Sequence, residues 1–126
     1  MIQQQSILKV SDNSGAKTVK CIKVLGGFKK KRAVIGDTIV VSVQTLRNRS
    51  KKTSKVKRKE IYKALLIRTK TKLKKKDGSE IIFKENAVIL LSNKGLPVGT
   101  RIIGPVPRLF KTKKFQKFLS ISSGIV

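Results

Sequence analysis

The chain has 126 residues and a formal charge of +25, from 31 lysines and arginines against 6 acidic residues, with no histidine and one cysteine, Cys21. That length holds a single hydrophobic core, the missing histidine removes the usual general base and zinc ligand, and the lone cysteine excludes both an intramolecular disulfide and a multi-cysteine metal site. Such a surplus of like charge repels itself in the free fold and is relieved by a polyanion: nucleic acid is the leading class, an anionic membrane surface the alternative.

The opening stretch MIQQQSILKV has no basic region leading into a long apolar one, so no secretory signal is expected, and no apolar run reaches the ~20 residues of a bilayer span. A soluble, intracellular protein is the expectation. SDNSGAK, residues 11–17, is a cluster of turn formers between two apolar runs; it reads either as a plain turn or as a turn whose Asn13, Ser14 and Gly15 offer donors to phosphate. KTVKCIKVL, residues 17–25, is rich in β-branched residues but alternates imperfectly, with Val19 and Cys21 on one face and Ile22 and Val24 on the other. That pattern predicts a strand with a bulge or strong twist, and Cys21 on it reads as a buried core thiol, since no base accompanies it.

LGGFKKKR follows, with Gly26 and Gly27 ahead of Phe28 and four consecutive basic residues, Lys29, Lys30, Lys31 and Arg32. A Walker-type phosphate loop needs spaced glycines, then Lys and Ser or Thr opening a helix; here the run leads through Ala33 to Gly36 into a strand, so a nucleotide pocket is not supported. The glycines suit a turn needing positive φ, a close approach of backbone to RNA, or both. Phe28 has two readings as well: packing into the core or a hairpin, the commoner role, or wedging against a nucleotide.

IGDTIVVSVQTL, from Ile35, alternates cleanly, with Ile39, Val41 and Val43 on one face, and predicts a half-buried strand. IYKALLIRT (61–69) and AVILLS (87–92) are too short and too poorly capped for helices and predict core strands. Between them, Asp77-Gly78 ahead of EIIF predicts a tight hairpin. Pro105 and Pro107 forbid a central strand, and KKFQKFLSIS places Phe115, Phe118, Leu119 and Ile121 at helical spacings, predicting a short amphipathic helix. Its Phe115, Lys117 and Phe118 are also the basis of the membrane-surface alternative. Asp37 and Glu60 lie far apart among basic residues and read as counter-ions or turn residues rather than a catalytic pair.

Short strands separated by glycine and polar runs predict a small antiparallel barrel, which removes exposed sheet edges. Of the 31 basic residues, 22 fall in four segments, 29–32, 47–59, 70–76 and 108–117, so charge sits on the connections and apolar residues in the strands. This is how a rigid scaffold presents an electropositive surface to nucleic acid. With few aromatics and no tryptophan, backbone and shape recognition of folded RNA fits better than base stacking on a sheet face.

Taken in order, MIQ, SDNSGAK, CIKVLGG with the basic run, AVIGDTIVVSV, KALLIRTK, DGSEIIF, ENAVILL and PVGTRIIGPV resemble the universal large-subunit ribosomal protein L-fourteen family over nearly the whole chain. The resemblance implies a mainly β fold: a small closed five-stranded antiparallel β-barrel with a β-ribbon and a short C-terminal helical region. It implies one domain over 1–126, with 105–126 as the helical extension. The function implied is that of a non-enzymatic structural component of the large subunit, which binds large-subunit rRNA and helps form bridges to small-subunit rRNA at the subunit interface. The implied neighbours are ribosomal proteins L-three and, in bacterial-type ribosomes, L-nineteen. A silencing factor that blocks subunit joining docks on the interface face of such proteins.

On this footing the RNA-binding candidates are Asn13, Ser14, Lys17, Lys23, Lys29, Lys30, Lys31, Arg32, Arg47, Arg49, Lys51, Lys52, Lys55, Lys57 and Arg58. The subunit-interface candidates are Thr100, Arg101, Arg108, Lys113, Lys114 and Lys117, of which Thr100, Arg101 and Lys117 match the silencing-factor region. No catalytic residue, metal ligand, cofactor or membrane partner is expected.

The chain departs from the family pattern in two places. QTLRNRSKKTSKVKRKE is long, lacks the usual proline and has Lys59 where a glycine is common; with so much like charge, parts of 47–59 are expected to order only on RNA. In the tail, Leu109 replaces an acidic residue and Ser122, Ser123 and Gly124 replace Ala-Pro-Glu. The 24 lysines against 7 arginines suggest an AT-rich gene, hence an organelle-encoded ribosomal copy in the mitochondrial matrix rather than a plastid, with a bacterial cytoplasm as the alternative.

Overall fold

The computed structural model describes residues 1–47 and 52–126. Seven strands form: β1 Ile7–Val10, β2 Ala16–Val24, β3 Thr38–Leu46, β4 Ile61–Arg68, β5 Leu73–Lys74, β6 Glu80–Ile81 and β7 Ala87–Leu91. Strands β1, β2, β3, β4 and β7 close into a barrel in that order, while β5 and β6 form a separate two-stranded ribbon. The predicted five-stranded barrel and ribbon are therefore present. Four of its five seams are antiparallel, and the one that closes it, Lys9 to Ala87 and Val10 to Val88, is parallel.

Each wall follows from its side-chain pattern. Ile39, Val41 and Val43 of β3 are buried in the barrel interior, as their alternation predicts. On β2, Val19, Cys21 and Val24 all face inward and Ile22 is exposed, against the simple alternation. The bulge predicted there explains it: the register with β3 slips between Cys21 and Lys23, and the extra residue returns Val24 to the interior. Cys21 is a buried thiol whose pKa is raised by desolvation.

Strands β4 and β7 read as continuous apolar runs because both of their faces are covered. Ala64, Leu66, Val88 and Leu90 point into the barrel, whereas Leu65, Ile67, Ile89 and Leu91 point outward into a second cluster with Ile102, Val106, Phe110 and Phe118 of the C-terminal segment. The C-terminal helical region is shorter than its periodicity suggests: two 3₁₀ turns, Arg108–Phe110 and Lys113–Phe115, lead into a one-turn helix, α1 (Gln116–Ser120). Phe110 and Phe115 meet edge to face at 4.9 Å, and Phe118 is buried. The apolar side of α1 is thus packed on the barrel through Phe118. No helix among the described residues is long and apolar enough to cross a membrane.

The chain then folds back on itself, Val126 N–H donating to Val106 C=O at 2.9 Å and Val106 N–H to Gly124 C=O at 2.9 Å. The Asp77-Gly78 hairpin is as predicted: Gly78 has φ +84°, and Asp77 Oδ1 accepts from Ser79 N–H and Oγ–H.

Arg68, at the end of β4, ties these layers together. Its buried guanidinium donates to the carbonyls of Ile103 and Pro105 at 3.0 Å each, to Ser11 Oγ and to Glu85 Oε1. Desolvation lowers its pKa, and Glu85 opposes that; each hydrogen bond from such a charged group contributes about 1.5–3 kcal/mol.

The described part of the long connection between β3 and β4 is held to the barrel by its own contacts. Val56 is buried in the barrel core, Lys55 N–H donates to Ser14 C=O and Lys59 N–H to Val43 C=O, so residues 52–59 lie folded against the barrel. Lys59 sits at φ +68°, a left-handed conformation that costs a non-glycine residue about 1–2 kcal/mol. Lys59→Gly should therefore stabilise the free protein by about 0.5–1 kcal/mol, after glycine's greater loss of backbone entropy. In a thermal melt this appears as a rise of about 2–6 °C.

Candidate nucleic-acid interface

The barrel topology sorts the loops. Because β3 runs antiparallel to both β2 and β4, the 25–37 loop and the connection after β4 emerge at one end, and the 47–60 loop emerges at the other. The 11–15 turn and the 92–101 loop join the second end, since β2 begins opposite the end of β3 and β7 runs antiparallel to β4.

At the first end, Lys29, Lys31 and Arg32 are exposed. Lys30 turns inward, its ammonium 2.7 Å from Asp37 Oδ2, and Asp37 also accepts from Val34 N–H at 2.8 Å. Gly26, at φ +107°, makes the reversal possible, and paired hydrogen bonds between Ile2 and Ala33 fix the far side of the loop. Lys23 joins Lys30 and Lys31 along an open groove of about 580 Å³ whose other lining residues are Gln3, Gln4, Ile22 and Val24. Phe28, read from sequence mainly as a packing residue, is fully exposed; that reading is corrected by the turn geometry, which points it away from the barrel. The 70–76 segment was absent from the candidate set, yet Lys70, Lys74, Lys75 and Lys76 are exposed at this same end. Their clustering in sequence was the available signal.

At the second end, the SDNSGAK turn serves mainly as an internal clamp. Asp12 is fully buried; it accepts from Ser14 N–H and Ser14 Oγ–H and, across the barrel seam, from Leu90 N–H at 3.0 Å. Ser14 is buried and both of its donors are taken, so the expectation that it meets phosphate is withdrawn. Asn13 is exposed, but its Oδ1 accepts from the amides of Thr100 and Arg101 and its Nδ2 donates to Thr100 Oγ1 at 2.7 Å. A Cβ on Gly99 would stand 2.7 Å from Asn13 Oδ1 and 2.9 Å from Asp12 Cβ, so this clamp requires glycine there. Asn13 therefore positions Thr100 and Arg101, both exposed, rather than offering free donors itself.

Lys52, Lys55, Lys57 and Arg58 are exposed on the second end, and Lys17 is exposed at the start of β2. Arg58 Nε donates to Gln44 C=O at 3.0 Å, and Arg47 Nη2 to Val10 C=O at 3.1 Å; these two arginines anchor the loop as well as adding charge. Arg49 and Lys51 lie outside the described residues. At the loop's exit Tyr62 donates to Glu60; the carboxyl is held below its ordinary range chiefly by this bond, while desolvation, then Glu60, pushes the phenol up to about 12. Along the side of the barrel, Lys9, Lys17, Arg47 and Lys84 line an open groove of about 690 Å³ over Arg68 and Phe83, which sequence reasoning did not find.

The interface candidates of the tail, Arg108, Lys113, Lys114 and Lys117, are exposed on the segment anchored by Phe110 and Phe118. Lys114 and Phe115 border a groove of about 400 Å³ with Lys63, Asn93 and Lys94.

The electrostatics follow from where the six carboxylates go. Asp12 and Asp77 are consumed by local backbone and hydroxyl donors, and Glu60 by Tyr62 and the amide of Lys57. Asp37, Glu80 and Glu85 pair with Lys30, Lys72, and Lys9 plus Arg68, and these four are the only basic side chains in ion pairs among the described residues. Glu85 is held below its ordinary pKa first by its hydrogen bond from Lys9. No cluster of His, Cys, Asp or Glu among the described residues could hold a metal.

Asn13→Ala should cost about 1–2 kcal/mol in a denaturant melt and speed hydrogen exchange at the amides of Thr100 and Arg101, with little change in exchange across β3. The family model described as ribosomal protein L14p/L23e matches residues 1–126, the whole chain.

Proposed function

The chain belongs to the ribosomal protein L14p/L23e family, structural proteins of the large ribosomal subunit, and from that premise we propose that its basic loops hold folded large-subunit rRNA without turnover. The observation that supports this most directly is the charge distribution: the carboxylates are used within the protein, so Lys29, Lys31, Arg32 and Lys52 meet solvent outside any ion pair among the described residues. Such a surface gains free energy by releasing the cations condensed on RNA, and it reads backbone and shape rather than base edges. The footprint comprises Lys17, Lys23, Lys29, Lys30, Lys31, Arg32, Arg47, Arg49, Lys51, Lys52, Lys55, Lys57 and Arg58, without Ser14, and with Asn13 acting through the loop it positions.

In the same reading Thr100, Arg101, Arg108, Lys113, Lys114 and Lys117 face small-subunit rRNA and contribute to a bridge, and Thr100, Arg101 and Lys117 also fall where a ribosome silencing factor docks. Ribosomal proteins L-three and L-nineteen are the proposed protein neighbours. The excess of lysine over arginine supports an organelle-encoded, mitochondrial copy, with plastid and bacterial ribosomes as the other settings.

Changing Lys29, Lys30, Lys31 and Arg32 together to alanine should weaken binding to large-subunit rRNA and reduce the slope of log affinity against log salt by about 2–4. A filter-binding titration across salt concentrations reads this directly. An unchanged slope removes the loop from the footprint.

A further inference from the structure

We propose that Phe28 stacks on an unpaired base of large-subunit rRNA, giving the basic loop a salt-independent contact in addition to its charges; this rests on the rRNA-binding reading above. Phe28 has a relative exposure of 102%, so none of its ring is covered by the protein. Single exposed apolar residues are common on protein surfaces, and exposure alone decides nothing. Here the backbone holds the ring out. Phe28 and Lys29 occupy the two central positions of a turn closed by Lys30 N–H to Gly27 C=O at 3.4 Å. The turn is fixed from below by the ion pair of Lys30 with Asp37 and by the Ile2–Ala33 bridge. Because the turn's backbone is already fixed, little main-chain freedom remains to be lost on contact, which favours binding.

The surroundings choose the partner. The exposed ring stands between Gly27 and the uncompensated Lys29, Lys31 and Arg32, and the adjoining groove carries Lys23, Lys30 and Lys31. A protein pocket receiving Phe28 would have to accommodate those cations at its rim, whereas RNA supplies phosphates for them and a flat π-face for the ring. The occupant is therefore a base splayed from a loop or bulge, since paired bases in an A-form helix offer no open face.

The chain contains no tryptophan, so Phe28→Trp places a single fluorophore at the contact, and complete exposure of the site leaves the core untouched. The experiment titrates full-length Phe28→Trp with protein-free large-subunit rRNA and, in parallel, measures filter binding of wild type, Phe28→Ala and Phe28→Leu at several salt concentrations. Stacking is expected to quench the indole on binding. Phe28→Ala should bind about 5- to 100-fold more weakly with the same salt slope, and Phe28→Leu should not recover the loss. An indole that stays unquenched while the protein binds with its normal affinity and salt slope overturns the stacking contact alone. Quenching that appears only when other ribosomal proteins are added overturns it in favour of a protein contact. Failure of the wild type to bind the rRNA at any salt overturns both this proposal and the reading beneath it.

Discussion

Uncompensated positive charge is the constraint to which the rest of this structure answers. A fold with 31 basic and 6 acidic side chains has no means of neutralising itself, and its stability depends on keeping the cations apart and solvated. A closed barrel does this economically. The barrel interior is packed with apolar side chains, the exposed faces of the strands carry polar ones, and the basic runs are sent to opposite ends by the alternation of strand direction. The few carboxylates then act as local fasteners. Asp12 locks the parallel seam, Asp37 holds the base of the first loop through Lys30, and Glu85 steadies Arg68 beneath the C-terminal segment.

This division of labour links stability to binding. Residues that look like RNA ligands by type prove to be of two kinds: Ser14, Arg47 and Arg58 have hydrogen bonds that shape the loops, while Lys29, Lys31, Arg32 and Lys57 have none that would hold them back from a phosphate. Asn13 shows the coupling most clearly, since one side chain fixes both the amide and the hydroxyl of Thr100 and the amide of Arg101. Electrostatic attraction gives such a surface affinity and speed but little selectivity. Shape, and contacts of the kind Phe28 can make, must supply the rest.

Much of the barrel was legible in the sequence because side-chain period reports burial. Ile39, Val41 and Val43 announced a strand with one buried face, the apolar runs of β4 and β7 announced core strands, and Asp77-Gly78 announced its hairpin. Partnerships were less legible. Nothing in ILKV marks it as the strand that closes the barrel, because a parallel seam joins segments about eighty residues apart and leaves no local signature. The fate of polar residues was hidden for the same reason. Asp12 is buried by a backbone amide from β7 and Arg68 by carbonyls from the C-terminal segment, so their roles appear only once the chain is folded. Phe28 erred in the other direction: apolarity predicted burial, but a turn after two glycines left its ring outside.

The measurement that tests the central claim most directly is to tag the protein in its own cell and follow it through sucrose gradients after washes of increasing salt. If uncompensated loops wrap folded rRNA from two ends of the barrel, the protein stays in the large-subunit and whole-ribosome peaks at physiological salt and comes off steeply as the wash salt is raised further, because every phosphate contact adds to the salt slope. Migration to the top of the gradient at modest salt would contradict this, and would make the basic surface that of a peripheral or free-standing nucleic-acid binder.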